Sequence, residues 1–118
     1  MTDIQRQLTG QSSFMRYTSQ GERHIARNLV AAILERGGTI SVNDGGEWTV
    51  RRSTKPIKVL EALATTGEDT IQWYDADGKR VASFLLVWGN DDDGSELIAD
   101  HTANDAAEGV YNEVVTDA

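Results

Sequence analysis

The sequence predicts an α+β fold, a two-layer sandwich in which an antiparallel sheet of about five strands carries three helices. Three segments show apolar residues every three to four positions, and five short β-prone segments alternate or run continuously apolar. The connections between neighbouring strands are too short for parallel crossovers, so antiparallel pairing is expected. The predicted element order is α-β-β-α-β-β-β-α. Helices packed on one face of the sheet bury the apolar stripes of the helices against the apolar face of the sheet.

The chain length predicts one domain rather than two. The 118 residues suffice for one modest core, which we assign to residues 19–118. Residues 1–18 are rich in glutamine and serine and are predicted to form a polar N-terminal arm. The absence of cysteine excludes disulfides, thiolate metal sites and cysteine nucleophiles. No apolar run approaches the ~20 residues that cross a bilayer, and no signal-peptide pattern opens the chain, so a cytoplasmic location is expected.

The first helix is predicted over about residues 20–36. Ser19 and Glu22 have the spacing of a capping box, in which each side chain accepts a hydrogen bond from an otherwise unpaired backbone amide. The apolar stripe that follows consists of Ile25, Leu29 and Ile33. Gly37 then provides the left-handed residue that ends many helices.

A β-hairpin and a second helix are predicted next. The hairpin strands cover residues 39–42 and 48–52, around the turn sequence NDGG. The second helix has Pro56 in its first turn, where the missing N–H costs little, with Thr54 or Lys55 as its cap. Its inward face is predicted to contain Ile57, Leu60, Leu63 and Ala64.

Three strands and a last helix complete the predicted fold. The strands cover residues 70–74, 81–88 and 95–99. The middle strand is almost continuously apolar, which is typical of a strand covered on one face and partly on the other. Thr102 and Asp105 are interpreted as a cap pair that opens a helix at about 103–115. Its inward residues are predicted to be Ala103, Ala106 or Ala107, Val110 and Val114.

The charge is distributed unevenly along the chain. The formal net charge is −8, yet residues 1–58 contain nine Lys+Arg and five Asp+Glu, whereas residues 59–118 contain two and fourteen. No basic residue follows Arg80. Direct DNA binding is disfavoured because the acidic part repels phosphates. The sequence therefore predicts an acidic surface that either keeps the protein in solution or binds a basic protein surface.

The candidate partner-binding residues are mostly carboxylates of the last third of the chain. Residues three or four apart on a helix are neighbours, so acidic side chains there form a face that suits a groove built for phosphates. We expect one continuous negative patch, with an exposed tryptophan after the glycine-rich turn as an apolar anchor. The candidate contact residues are Asp91, Asp92, Asp93, Glu96, Asp105, Glu108 and Trp48.

Metal, cofactor and catalytic interpretations find less support in the sequence. An EF-hand register starting at Gly89 lacks the first ligand and ends in Asp100 where glutamate is usual, so we expect a solvated turn, with no metal and no cofactor. The glycines lack phosphate-binding spacing. His24 and His101 belong to no metal or triad motif, which favours a protein that is not an enzyme. A small hydrolase or metal enzyme centred on Asp100 and His101 is the remaining catalytic alternative.

Two segments, Val87–Asn90 and Ile98–Asn104, resemble stretches of small acidic proteins encoded by bacteriophages and prophages. The similarity extends over about residues 20–115. Such proteins are often inhibitors of host machinery, including anti-CRISPR proteins, some of which imitate DNA. The resemblance implies a non-enzymatic inhibitor of a host nucleic-acid-handling complex, and it assigns no functional residue.

The sequence leaves open both the oligomeric state and an alternative function. An inhibitor of this kind is expected to be a monomer or a homodimer. The alternative function is a small structural or accessory phage protein that self-associates, joining the basic Arg51–Lys58 segment of one copy to the acidic half of another.

Overall fold

The computed structural model describes residues 12–90 and 92–116. In these residues, helices accompany one five-stranded antiparallel sheet. The helices are α1 (Ser13–Arg16), α2 (Gln20–Glu35), α3 (Pro56–Glu61) and α4 (Asp105–Thr116). The strands are β1 (Thr39–Asn43), β2 (Trp48–Ser53), β3 (Glu68–Tyr74), β4 (Arg80–Val87) and β5 (Ile98–His101). The predicted α+β class is confirmed, and the element order differs only by the single-turn helix α1.

The strands lie in the order β2-β1-β3-β4-β5, and each pairs antiparallel with its neighbours. β3 is at the centre, so the β1–β2 hairpin lies on one side of it and β4 and β5 on the other. The two ends of the sheet are therefore built from different halves of the chain.

Helix α2 forms as its sequence predicts. The Ser19 hydroxyl accepts a hydrogen bond from the Glu22 amide at 3.1 Å, and Glu22 Oε1 accepts one from the Ser19 amide at 2.9 Å. The capping box is thus complete. Gly37 follows the helix with φ 77°, a left-handed conformation that glycine adopts without steric cost.

The core lies between the helices and one face of the sheet. The strand residues in it include Ile40, Val42, Val50, Ile71, Trp73, Phe84 and Leu86. The helix residues in it include Ile25, Leu29, Ile33, Leu60, Ala107, Val110 and Val114. Along β1, β3 and β4 the apolar members of this cluster recur at every second position, as expected for strands with one covered face.

The structure describes only part of the predicted N-terminal arm, residues 12–18. Residues 1–11 lie outside the described residues. Within 12–18, α1 places the Phe14 ring in the core with no exposed surface, edge-on to the Trp88 ring at a centroid distance of 6.2 Å. This apolar burial makes residues 12–18 part of the packed domain.

The last strand begins three residues later than predicted. β5 starts at Ile98 because residues 95–97 form a turn, in which the Leu97 amide donates to the Gly94 carbonyl at 3.1 Å. Leu97 is buried in the core although it belongs to no strand. Leu97 and the buried Ile98 that follows it form an apolar pair, which the sequence alone does not distinguish from the middle of a strand.

Helix α4 is capped by a different residue from the one predicted. The Asn104 side chain accepts the Ala107 amide at 2.8 Å and donates to the Val81 carbonyl at 2.9 Å. Thr102 instead accepts the Ser83 amide at 2.9 Å. The helix consequently begins at Asp105, and Ala103 is exposed rather than inward.

Candidate functional site

The order of the strands places the basic residues of β2 and the acidic residues near β5 at opposite edges of the sheet. β2 and β5 are opposite edges of the sheet, which places them roughly 19 Å apart at a strand spacing of about 4.8 Å. β2 carries Arg51 and Arg52, and α3, which contacts β2, adds Lys55 at its cap and Lys58. All of these basic side chains are exposed.

The acidic residues follow the other edge. They lie in the loop before β5, on β5 itself, and in the first turn of α4. The exposed members are Asp92, Asp93, Glu96, Asp100, Asp105 and Glu108. Asp91, the seventh acidic residue of this stretch, lies outside the described residues. β5 is only four residues long, so about 13 Å of strand joins the loop group to the α4 group.

The described residues of the loop between β4 and β5, 88–90 and 92–97, are held against the start of α2; we call them the acidic loop. Glu22 is 2% exposed, and while its Oε1 closes the capping box, its Oε2 accepts the Gly89 amide at 2.7 Å. One buried carboxylate therefore holds both the helix cap and the first residues of the loop. Hydrogen bonds to a charged acceptor are the stronger kind.

Two glycines allow the acidic loop to touch α2 directly. A Cβ on Gly21 would lie 2.3 Å from the Asp93 carbonyl carbon, and one on Gly94 would lie 2.5 Å from the Gly21 carbonyl oxygen. Gly94 also has φ 80°, which other residues rarely adopt. The contact leaves Asp92 and Asp93 beside the N-terminus of α2, where the helix dipole favours negative charge, and they line one surface groove together with Arg27 of that helix.

Helix α4 presents its carboxylates at two places. Asp105 and Glu108 lie in the first turn, where the helix dipole also stabilises them. Glu113 lies at the other end and forms a salt bridge with Arg36, at the end of α2, with a distance of 3.0 Å. Glu113 is therefore partly neutralised, whereas the first-turn pair has no such bridge in the described part of the chain.

The structure does not bring the candidate tryptophan to the acidic residues. Trp48 is 37% exposed, as the sequence predicts, but it begins β2 at the basic edge of the sheet. Trp73 is buried and Trp88 is half-buried against the core. None of the three tryptophans, all of which the structure describes, is therefore an exposed apolar anchor beside the carboxylates.

Asp69 is a buried carboxylate that the sequence did not single out. It has no exposed surface, and its Oδ2 accepts the Ala64 amide and the Trp88 indole N–H, both at 2.8 Å. Oδ1 has no hydrogen-bond partner. Burial raises the pKa of Asp69, the two hydrogen bonds oppose this, and the nearby charges of Asp44 and Glu68 raise it further. The alternation of β3 could have indicated it, since Asp69 shares the face of Ile71.

Both histidines contact neighbouring groups of the protein. The His101 ring lies 4.8 Å from the Tyr111 ring and 6.1 Å from the Phe84 ring, and its Nδ1 lies 2.9 Å from the Thr102 carbonyl oxygen. His24 is exposed on α2, with Nε2 3.2 Å from the Asn28 amide nitrogen. Within residues 12–90 and 92–116, no group of three or more His, Cys, Asp or Glu side chains is arranged to hold a metal ion.

No helix in the described ranges has the length and apolar character needed to cross a membrane. No protein-family model, no curated protein and no solved structure matches the chain.

Proposed function

We propose that this chain is a non-enzymatic acidic binding protein, encoded by a phage or mobile element, that acts in the host cytoplasm. Its partner is a basic surface of a complex that handles nucleic acid, and it inhibits that complex by occupying a site for phosphates. The observation that carries the proposal is the row of exposed carboxylates along the β5 edge, separated by the width of the sheet from the basic residues of β2.

The charge arrangement favours binding over mere solubility. Asp105 and Glu108 are three residues apart on α4, which places their Cβ atoms about 5–6 Å apart. The acidic loop is held by Glu22 and by the contact between Gly21 and Gly94. A preformed loop loses little conformational entropy on binding, and a negative surface raises the rate of association with a basic partner.

A catalytic role is less well supported by the geometry. The His101 ring packs on Tyr111, and its Nδ1 faces the Thr102 carbonyl. The Asp100 carboxylate accepts the His101 backbone amide at 2.9 Å rather than orienting the ring, and the groove that the two residues line is shallow, whereas a general base needs a substrate pocket. We therefore propose that Asp100 and His101 are not a catalytic pair.

The proposal predicts a salt-sensitive interaction. The immobilised protein should retain nucleic-acid-binding proteins from a bacterial lysate at about 50 mM salt and release them at about 500 mM, because salt screens exposed charges. Duplex DNA should displace the same proteins. The double variant Asp105→Asn/Glu108→Gln should weaken binding of the recovered partner roughly tenfold.

The matched control removes two charges near the basic edge instead. Glu47→Gln/Glu61→Gln changes the net charge equally, at exposed residues of the β1–β2 turn and of α3, and should leave binding within about twofold of the wild type. Retention of no nucleic-acid-binding protein at low salt would contradict the proposal. Equal weakening by both double variants would show that net charge alone is responsible.

A further inference from the structure

The face of the sheet opposite the core, which we call the open face, is covered by no helix in the part of the chain that the structure describes. It carries the residues that alternate with the core positions, among them Thr70, Gln72, Ser83, Leu85 and Val87. Leu85 and Val87 are half-buried by their neighbours but do not pack against the core cluster.

One row of paired residues crosses the whole open face. The strand register pairs Trp48 with Asn43, Asn43 with Thr70, Thr70 with Leu85, and Leu85 with Asp100. The row thus begins at an exposed tryptophan on the β2 edge and ends at an exposed carboxylate on the β5 edge. Asp100, Leu85 and Thr70 line one shallow groove with Ser83 and Thr102.

The open face is positive at its β2 edge. Arg51 follows Val50, which is buried in the core, so alternation places Arg51 on the open side. The Arg52 guanidinium lies 4.5 Å from the centre of the Tyr74 ring, which also alternates with a core residue. The same face is therefore basic at its β2 edge and carries the Asp100 carboxylate at its β5 edge, while Glu68 of β3 and Arg80 of β4 lie on it between the two edges.

We propose that two copies of this chain associate through their open faces, related by a two-fold axis that runs parallel to β3. Rotation about this axis places β2 of one copy over β5 of the second. Trp48 then faces Asp100 of the second copy, and Arg51, beside Ser41 and so two residues or roughly 7 Å further along the strand, is close enough for its long side chain to approach the same carboxylate. The same contact forms twice. Such a self-complementary interface closes at two copies, and aligned sheets pack face to face at about 10 Å.

The other two-fold arrangements bring like charges together. An axis in the plane of the sheet but perpendicular to the strands places β2 over β2 and β5 over β5. An axis normal to the sheet joins β2 to β2 or β5 to β5 at their edges. Edge pairing is further opposed because the β1–β2 register is interrupted at two places and β5 has only four residues, features that protect edge strands.

The size of the open face sets the expected affinity. Five strands of four to five residues outline roughly 400 Å² per copy, about half the area that each partner buries in a standard stable interface. The face is also mostly polar. We therefore expect a weak dimer, with a dissociation constant of roughly 10–100 µM.

Sedimentation equilibrium over protein concentrations of about 5–500 µM tests this arrangement. The variants reverse the charge of Arg51, of Asp100 or of both. The wild type should show a monomer–dimer equilibrium. Asp100→Arg and Arg51→Asp should each raise the dissociation constant roughly tenfold or more. The double variant Arg51→Asp/Asp100→Arg should restore it to within about threefold of the wild type.

Glu61→Arg is the matched control, since it makes the same charge change at an exposed residue of α3, on the covered side of the sheet. It should leave the dimer unchanged. Far-UV circular dichroism checks folding, and Asp100→Asn replaces Asp100→Arg if the latter is unfolded. A wild type that stays monomeric, a mass that grows beyond two copies, or a double variant as weak as the single ones would overturn the proposal.

The dimer and the proposed inhibition share Asp100 but otherwise use different residues, so they can be tested separately. Asp105 and Glu108 lie on α4, outside the open face. Asp105→Asn/Glu108→Gln should therefore retain the dimer while losing partner binding, and Arg51→Asp, on β2 at the opposite edge of the sheet, should lose the dimer while partner binding persists. The two variants distinguish failure of one proposal from failure of the other.

Discussion

Replacing Gly21 with alanine is expected to destabilise the protein, although alanine is the better helix former. A Cβ at this position would lie 2.3 Å from the Asp93 carbonyl carbon and 2.5 Å from the Asp92 carbonyl oxygen. Both are backbone atoms, so the acidic loop must move away from α2 to admit the methyl group. We expect a loss of about 2–3 kcal/mol in the free energy of unfolding, typical of overpacking at a close contact.

Gly109→Ala provides a control of opposite sign. Gly109 lies inside α4, its φ is not positive, and a Cβ there would meet no atom within 4 Å. Helix propensity alone should then raise the free energy of unfolding by about 0.5–1 kcal/mol. Urea denaturation of both variants measures the contrast, and a stabilised Gly21→Ala protein would show that the loop does not depend on this contact.

Helix α2 could be predicted from the sequence because its local signals agree. The capping box at Ser19, the apolar stripe and the stop at Gly37 all specify the same segment, and tertiary packing then reinforces it. The start of β5 could not be predicted, because the buried Leu97 marks a turn that packs on the core. Nothing local to residues 95–97 distinguishes this from a strand.

The sequence predicts the acidic residues of the candidate site but not their arrangement in the fold. The run of carboxylates after Arg80 is evident in the sequence. Their distance from the basic residues of β2 depends on the strand order, in which β1 pairs with β3 although β2 and α3 lie between them in the chain. This pairing is non-local and leaves no short-range signal. Glu22 was recognised as a capping residue, whereas its bond to the Gly89 amide joins positions 67 residues apart.

Asp69 makes the stability of the fold depend on pH in a direction opposite to that of an exposed salt-bridged carboxylate. Burial raises the pKa of Asp69, with Asp44 and Glu68 adding to the effect. The folded chain therefore holds this proton more tightly than the unfolded chain. Its stabilising contribution is fully present below the unfolded-state pKa and is lost as the pH rises through the folded-state pKa.

Asp69→Asn should remove this dependence. Asparagine retains an oxygen that accepts the Ala64 and Trp88 N–H groups, while its amide lies where Oδ1 has no partner; leaving that buried donor unpaired costs about 1–3 kcal/mol. Urea denaturation from about pH 4 to about pH 8 should therefore show the variant gaining on the wild type as the pH rises. Parallel curves for the two proteins would contradict the assignment.

Asp69→Ala separates the hydrogen bonds from the charge. It leaves the Ala64 amide and the Trp88 indole N–H without their acceptor, and we expect a loss of about 3 kcal/mol, since two buried donors become unpaired. The loss should exceed that of Asp69→Asn at every pH, because only the asparagine keeps the acceptor. Trp88 also precedes Gly89, which Glu22 binds, so loss of the Asp69 acceptor should loosen the start of the acidic loop and weaken partner binding together with stability.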